Sequence, residues 1–239
     1  MERFTRTALV IGNEGVHRLA QAKVAVFGVG GVGGAVCEAL ARSGIGTLVL
    51  VDYDVVDITN INRQIVALQS TIGRPKVDVM AERIREINPN CQVIALREFY
   101  EPGRADDFLT PDLNYVVDAI DSVSSKVDLL TQCYTRKIPV VASMGAGNKL
   151  DPTQLRIADI SQTHTCPLAR VVRLGLREKG INKGIPVVFS PEPPTRVTTG
   201  RTPGSTAFVP PAAGLALASW VVRELLERGG ISGSIQPSQ

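Results

Sequence analysis

Apolar residues in the first two-thirds of the chain fall into two alternating kinds of run. Short β-branched runs at residues 23–28 (KVAVFG), 47–51 (TLVLV), 92–96, 115–118 and 139–144 predict buried strands. Helical spacing separates them. Residues 31–43 predict a helix of small residues, which Gly46 ends. Over 74–88, Val77, Met80, Ala81, Ile84 and Ile87 share one face while Glu82, Arg83 and Glu86 face water. Pro75 suits the first turn of that helix and Pro89 its end. Residues 123–137 predict a further helix. Strands separated by helices imply an α/β protein with a doubly wound, mostly parallel sheet, covered on both faces.

The remainder is patterned differently. Residues 155–160 alternate weakly, 166–179 are helical and basic, and 186–190 form a short strand. Residues 190–204 are rich in Pro, Thr, Arg and Gly and read as a loop. Residues 211–228 predict a closing helix and 229–239 a frayed tail. The expected division is a nucleotide-binding part over 1–150, a smaller C-terminal part over 151–229 and the tail, all in one compact domain.

Composition narrows this only slightly. The chain has 239 residues, with Lys plus Arg at 26 against Asp plus Glu at 23, for a net charge of +3. That excludes a strongly basic tail and an acidic solvating protein, but not a local basic patch. At 44% hydrophobic and 21% charged, the chain is too apolar for disorder. Cys37, Cys91, Cys133 and Cys166 form no CxxC pair, which argues against a disulfide framework and a four-thiolate zinc site. The N-terminus has no long apolar run ahead of a small-residue cleavage site. Residues 208–222 are apolar, but they are fewer than the ~20 that a spanning helix needs, and Pro210 and Pro211 interrupt them. They read as a buried core helix, and the expectation is a soluble cytoplasmic protein.

Chemistry enters with Gly28-Val29-Gly30-Gly31-Val32-Gly33, a GxGxxG directly after a strand and opening a helix. Glycines there permit a tight turn and let backbone N–H groups approach a phosphate, and the helix N-terminus adds partial positive charge. Asp52, at the end of the second strand, is placed to accept hydrogen bonds from ribose hydroxyls. Downstream, Asp52-Tyr53-Asp54, Thr59-Asn60-Ile61-Asn62-Arg63-Gln64 and Gly73-Arg74-Pro75-Lys76 supply two cations, Arg63 and Lys76. Fixed cations suit a triphosphate undergoing nucleotidyl or phosphoryl transfer better than a dinucleotide. A strand ends in Asp118, and Asp121 opens the next turn. A carboxylate there suits Mg²⁺, which binds through one or two carboxylates plus substrate phosphates. Asp121 also suits the N-cap of the following helix.

GVGGVG, DYD, TNINRQ, GRPK and DAIDS in this order resemble the ubiquitin-activating-enzyme-like adenylyltransferases, which share a Rossmann-like fold. The resemblance implies an ATP site. Gly28, Gly30, Gly31 and Gly33 would lie under the phosphates and Asp52 at the ribose. Asn60, Arg63 and Lys76 would contact the triphosphate, Asp54, Asn62 and Gln64 would complete the set, and Asp121 would hold Mg²⁺. Arg3-Phe4-Thr5-Arg6 resembles the family's Arg-aromatic-x-Arg. It implies a homodimer in which Arg6 is an arginine finger on the partner's ATP. Within the superfamily, GTLVLVDYDVVDITNINRQIVAL, ERIREINP, VVDAIDSVSSK, ASMGAGNKLDPTQLRIADIS and PGSTAFVPPAAGLALASWVVREL are similar to the tRNA threonylcarbamoyladenosine dehydratase branch. That similarity implies ATP-dependent cyclisation of the threonylcarbamoyl group on adenosine 37 of tRNA, with formal loss of one water.

Two other readings stand beside it, namely an activator of a small sulfur-carrier protein and a nucleotide-sensing module without turnover. The absent CxxC pairs weigh against the first, and the set Arg6, Arg63, Lys76 and Asp121 weighs against the second. Cys166 has basic neighbours (His164, Arg170, Arg173) that would favour a reactive thiol, and it also reads as an incidental helix-start residue. The other three cysteines, His17 and His164 read as packing or surface residues. Arg170, Arg173, Arg177, Lys179 and Lys183, followed by Arg196 and Arg201, are opposed only by Glu178 and Glu192. They form a candidate tRNA-facing surface. Sulfur-transfer or electron partners are not identifiable from the residues.

Overall fold

The computed structural model describes residues 2–195 and 203–228. Helix α1 (Thr5–Gln21) leads into β1 (Lys23–Phe27), α2 (Gly31–Ser43), β2 (Thr47–Val51), α3 (Lys76–Ile87) and β3 (Gln92–Leu96). A short α4 (Ala105–Phe108), β4 (Tyr115–Asp118), α5 (Val123–Thr135) and β5 (Val140–Ser143) follow. The chain then runs through β6 (Arg156–Asp159), α6 (Pro167–Glu178), β7 (Pro186–Phe189) and α7 (Val209–Glu227).

All seven strands join one sheet in the order β3-β2-β1-β4-β5-β7-β6. Every pairing is parallel except that of edge strand β6 with β7. The doubly wound α/β fold expected from the pattern is therefore present, and the strands beyond residue 150 extend the same sheet. Alternate strand residues feed two cores, because successive side chains point to opposite faces. Val24, Val26, Leu48 and Leu50 pack with Leu40 of α2, Ile84 of α3 and Leu217 of α7. Ala25, Phe27, Val49 and Val51 pack on the other face with Phe108, Leu129 and Val172 from α4, α5 and α6.

Helix α1 has no counterpart in the hydrophobic pattern. Gly12 takes φ 75° inside it and kinks it, and only Gly15, Val16 and Leu19 are buried. Three predicted ends shift for local reasons. Pro75 has ψ 133° and is the N-cap of α3 rather than a first-turn residue. Lys137, at φ 58°, lies beyond the end of α5. Helix α7 begins two residues earlier than expected, because its first turn tolerates Pro210 and Pro211, whose missing N–H groups need no partner there. Helix α7 is the one helix among the described residues long and apolar enough to cross a membrane, and it buries Leu217, Val221 and Leu225 in the core. Its Gly214 lies so close to α2 that a Cβ would come within 2.3 Å of the Val32 carbonyl oxygen. The predicted tail, 229–239, lies outside the described residues.

Candidate active site

The chain leaves β1 towards β2 on one side, while β4 leads to β5 and β7 on the other. A crevice therefore opens at the carboxyl ends of β1 and β4, where ligands of doubly wound sheets bind. There the structure has a cleft of about 840 Å³. Its floor is the glycine loop. Gly28 adopts φ +87°, and a Cβ there would lie 2.7 Å from the Ala119 carbonyl oxygen. Gly33 is buried beneath the loop, 1.7 Å from the Gly28 carbonyl if given a Cβ, and so supports the cleft without lining it. No side chain caps the N-terminus of α2, which leaves its backbone donors and dipole facing the cleft.

Asp52 is buried and accepts from the Val29 N–H at 2.6 Å and the Asp54 N–H at 2.9 Å. It ties the second strand end to the glycine loop. Burial pushes its carboxyl up, while those N–H groups and the Lys76 ammonium pull it down. Lys76 begins α3 and is 5% exposed. Its backbone N–H donates to the Asp54 carbonyl, and its Nζ lies 2.7 Å from Asp54 Oδ2. Asn60 Oδ1 accepts from the Asp57 N–H in a capping box that shapes the turn before Arg63. The stem of Arg63 lies over Gly31, with Cγ 3.4 Å from where a Cβ would be. Its Nη1 donates to the Thr59 carbonyl and to Asn62 Oδ1. Gln64 Oε1 is buried with no hydrogen-bond partner among the described residues. An orphan acceptor in a cleft wall suits a ligand hydroxyl or an ordered water.

Asp121 lines the cleft and is exposed. The helix-capping position belongs to its neighbour Ser122, which makes no side-chain cap, so Asp121 is not the N-cap. The carboxylate stands near Asp52, Asp54 and Tyr53, and these negative charges, led by Asp54, raise the Tyr53 phenol. An exposed carboxylate facing the cleft fits Mg²⁺, which takes its remaining ligands from phosphates and water. Among the described residues no cluster of three or more His, Cys, Asp or Glu forms a protein-only metal cage.

Asn62 does not line the cleft. It is exposed, and its Nδ2 donates to the Ser205 carbonyl at 3.0 Å. Arg6 also lies outside the cleft, exposed on α1. Cys166 is a buried N-cap residue of α6, in the cleft wall against Gly145. Its supposed basic environment is partly spent, because Arg173 Nη1 donates to the carbonyl and hydroxyl of Thr163. Arg170, Arg177, Lys179 and Lys183 are exposed, while Arg196 and Arg201 lie outside the described residues.

The structure adds residues that sequence reasoning missed. Tyr53 and Phe99 make an edge-to-face pair at 4.9 Å on the cleft wall. Lys149 is buried there and donates to the Glu192 carbonyl oxygen. Behind the wall, Lys126 Nζ lies 2.7 Å from Asp118 Oδ2 and 3.0 Å from the Ser143 carbonyl. Asp118 Oδ1 accepts the Ile120 N–H in the loop that carries Asp121. Only Asp118, at a strand end, carried a signal in the sequence. A second cleft, about 510 Å³, opens at the amino ends of the strands near Tyr115 and Trp220, and none of the predicted site residues line it.

A model of the ThiF family matches residues 4–236. The chain belongs to the ThiF family. Among ThiF-family relatives, a Bacillus subtilis (strain 168) tRNA threonylcarbamoyladenosine dehydratase is 49% identical over 243 residues, covering 95% of this chain and 96% of the relative. The tRNA threonylcarbamoyladenosine dehydratase of Escherichia coli (strain K12) is 43% identical over 198 residues, covering 80% of this chain and 74% of the relative. A crystal structure of the E. coli tRNA N6-threonylcarbamoyladenosine dehydratase in complex with ATP superposes with a TM-score of 0.91 at 38% identity, covering 97% of each chain. The ThiF-family fold thus extends over both the glycine-loop half and the half containing β6, α6 and β7.

Proposed function

We propose that this protein is an ATP-dependent tRNA threonylcarbamoyladenosine dehydratase. The observation that supports it most is the near end-to-end likeness to the B. subtilis dehydratase. The cleft supplies what the chemistry requires. Backbone donors of the glycine loop and the α2 N-terminus face the phosphates. Asp52 keeps acceptor capacity for a ribose hydroxyl. Asn60, Arg63, Gln64 and Lys76 line the cleft where a triphosphate would lie, and Asp121 would hold Mg²⁺, which would supply charge neutralisation at the phosphates.

A threonyl carboxylate oxygen attacks a phosphorus of ATP, forming an O–P bond as a bridging P–O bond breaks. Pyrophosphate (attack at the α-phosphorus) or ADP (attack at the γ-phosphorus) leaves, and a mixed carboxylic–phosphoric anhydride remains. A carbamoyl heteroatom of the same substituent then attacks the acyl carbon. The ring closes as the acyl C–O bond to phosphorus breaks, AMP or inorganic phosphate leaves, and the attacking heteroatom gives up its proton. The two steps together remove one water from the nucleoside. The nucleophile is tethered beside its electrophile, so orientation supplies much of the rate. Arg63 and Lys76 stabilise charge that develops on the phosphates.

The chain acts as a homodimer in this reading, with Arg6 reaching the partner's cleft. Two observations support it. Arg6 does not line its own cleft, and the same helix exposes Leu9 (83%) and Val10 (78%) side by side. In this reading the exposed cations of α6 and the turn after it would meet the tRNA backbone, and a cytoplasmic location accords with a tRNA substrate. The discriminating assay follows ATP consumption with alternative acceptors. Turnover with tRNA bearing linear threonylcarbamoyladenosine, and none with a sulfur-carrier C-terminus, is expected. The reverse preference overturns the reading in favour of a carrier activator, and turnover with neither favours a binding module.

A further inference from the structure

Asn62 sits between two walls of the cleft that the chain brings together from distant segments. On one side its Oδ1 accepts from Arg63 Nη1 at 2.9 Å. Arg63 Nη2 and Nε make no hydrogen bond to the described residues, so the guanidinium can turn these donors to a phosphate while keeping Asn62. On the other side Asn62 Nδ2 donates to the Ser205 carbonyl at 3.0 Å, across 143 positions. A carboxamide is planar, so its oxygen and nitrogen move as one unit.

The bonds continue from there. Gly204, next to Ser205, donates its N–H to Asn148 Oδ1 at 2.7 Å, and its carbonyl accepts the Asn148 N–H at 2.8 Å. The Asn148 carbonyl accepts the Thr195 N–H at 2.8 Å. Asn148 is left-handed at φ 59°, a conformation asparagine tolerates better than most residues. Gly147 is packed so closely that a Cβ would lie 2.9 Å from Pro203 Cβ. Gly147, Asn148, Pro203 and Gly204 all line the cleft opposite the glycine loop.

We propose that Asn62 is a positioning residue, not a nucleotide ligand, and that it couples Arg63 on the triphosphate side to the wall formed by residues 147–148 and 203–205. In the dehydratase reading the acyl substrate approaches phosphorus from that wall, which lines the same cleft as Arg63. Phosphoryl or nucleotidyl transfer requires the attacking oxygen and the phosphorus in line, so the two walls need a fixed relation. The route Arg63–Asn62–Ser205–Gly204–Asn148 supplies it without a side chain of Asn62 in the cleft. The substrate part of this inference rests on the dehydratase reading, whereas the coupling itself does not.

Hydrogen–deuterium exchange tests the coupling with the full chain and Mg²⁺-ATP alone. In the wild type, ATP slows exchange at the amides of residues 204–206. In Asn62→Ala, ATP binds with a Kd within about threefold of wild type, but that protection is lost. Asn62→Asp separates the two bonds, since it keeps an acceptor for Arg63 and loses the donor to Ser205. It too loses the protection. Asn148→Gly keeps the left-handed backbone and removes the Oδ1 bond, and it behaves likewise. In tRNA turnover, Asn62→Ala and Asn148→Gly each lower kcat, by up to about 10²-fold as for an ångström of misplacement. The double variant is no worse than the worse single one. Protection in Asn62→Ala equal to wild type overturns the coupling, as does an ATP Kd that rises as much as kcat falls. Failure of the dehydratase reading looks different, because the wild type itself then leaves the tRNA unchanged while the exchange result stands.

Discussion

Lys76 and Asp54 form an ion pair whose two halves differ in exposure, with side chains 6% and 44% accessible. A half-exposed pair contributes about 1 kcal/mol or less to stability. Lys76→Ala is therefore expected to leave the melting temperature near that of wild type. In the proposed mechanism it removes a cation that faces the phosphates, and a loss of about 10²–10³ in kcat is expected by analogy with other preorganised donors. Asp121→Ala should behave similarly, since its carboxylate is exposed and its loss leaves no buried group unpaired. Calorimetry beside turnover at saturating ATP checks both, and unchanged turnover in either variant removes that residue from the mechanism. The thiols differ from these polar groups. Burial pushes Cys91 up to about 11 and Cys133 up to about 12, and raises Cys37 further. At neutral pH these three should resist iodoacetamide in the folded protein and react after denaturation, as read by mass mapping. Rapid labelling of the native state at any of them contradicts the packing described.

Helix α5 reaches into the sheet through a fully buried charge pair. Lys126 and Asp118 are both 0% exposed, and together they bind the ends of β4 and β5 behind the Asp121 loop. Breaking one partner of such a pair costs about 3–5 kcal/mol, because it strands the other charge. Lys126→Met should show that loss in urea unfolding, and adding Asp118→Leu should recover much of it. Equal stability of Lys126→Met and wild type would show that the pair is not structural. The strands and the glycine-loop helix were legible in the sequence because their rules are local: alternation over five residues, and a GxGxxG between strand and helix. Helix α1 was not. Gly12 interrupts it, and half of its length has no core to face. Asn62 reads as a nucleotide ligand from its place in TNINRQ, whereas its side chain lies outside the cleft lining and bonds Ser205, 143 positions away, a partner that no local pattern announces. Lys149 and Lys126 were invisible for the same reason, because a single lysine carries no sign of the distant carbonyl or carboxylate that buries it.

The sheet order assembles all of this at one crevice, with the glycine loop from one half and the 143–149 strip from the other. The small net charge of +3 conceals a separation, with Arg63 and Lys76 in the cleft and a second basic group along and after α6. Arg6 belongs to neither. If the chain pairs as proposed, co-expressed Arg6→Ala and Asp121→Ala chains should partly restore the activity that each variant lacks alone, because one composite site of the mixed dimer would be intact. Verified heterodimers without activity would remove the finger in trans. Purified protein, Mg²⁺-ATP and tRNA carrying linear threonylcarbamoyladenosine are incubated, and the digested nucleosides are weighed by mass spectrometry. The expected product is a nucleoside lighter by one water, formed only with ATP. An unchanged mass under conditions where the protein consumes ATP would contradict it.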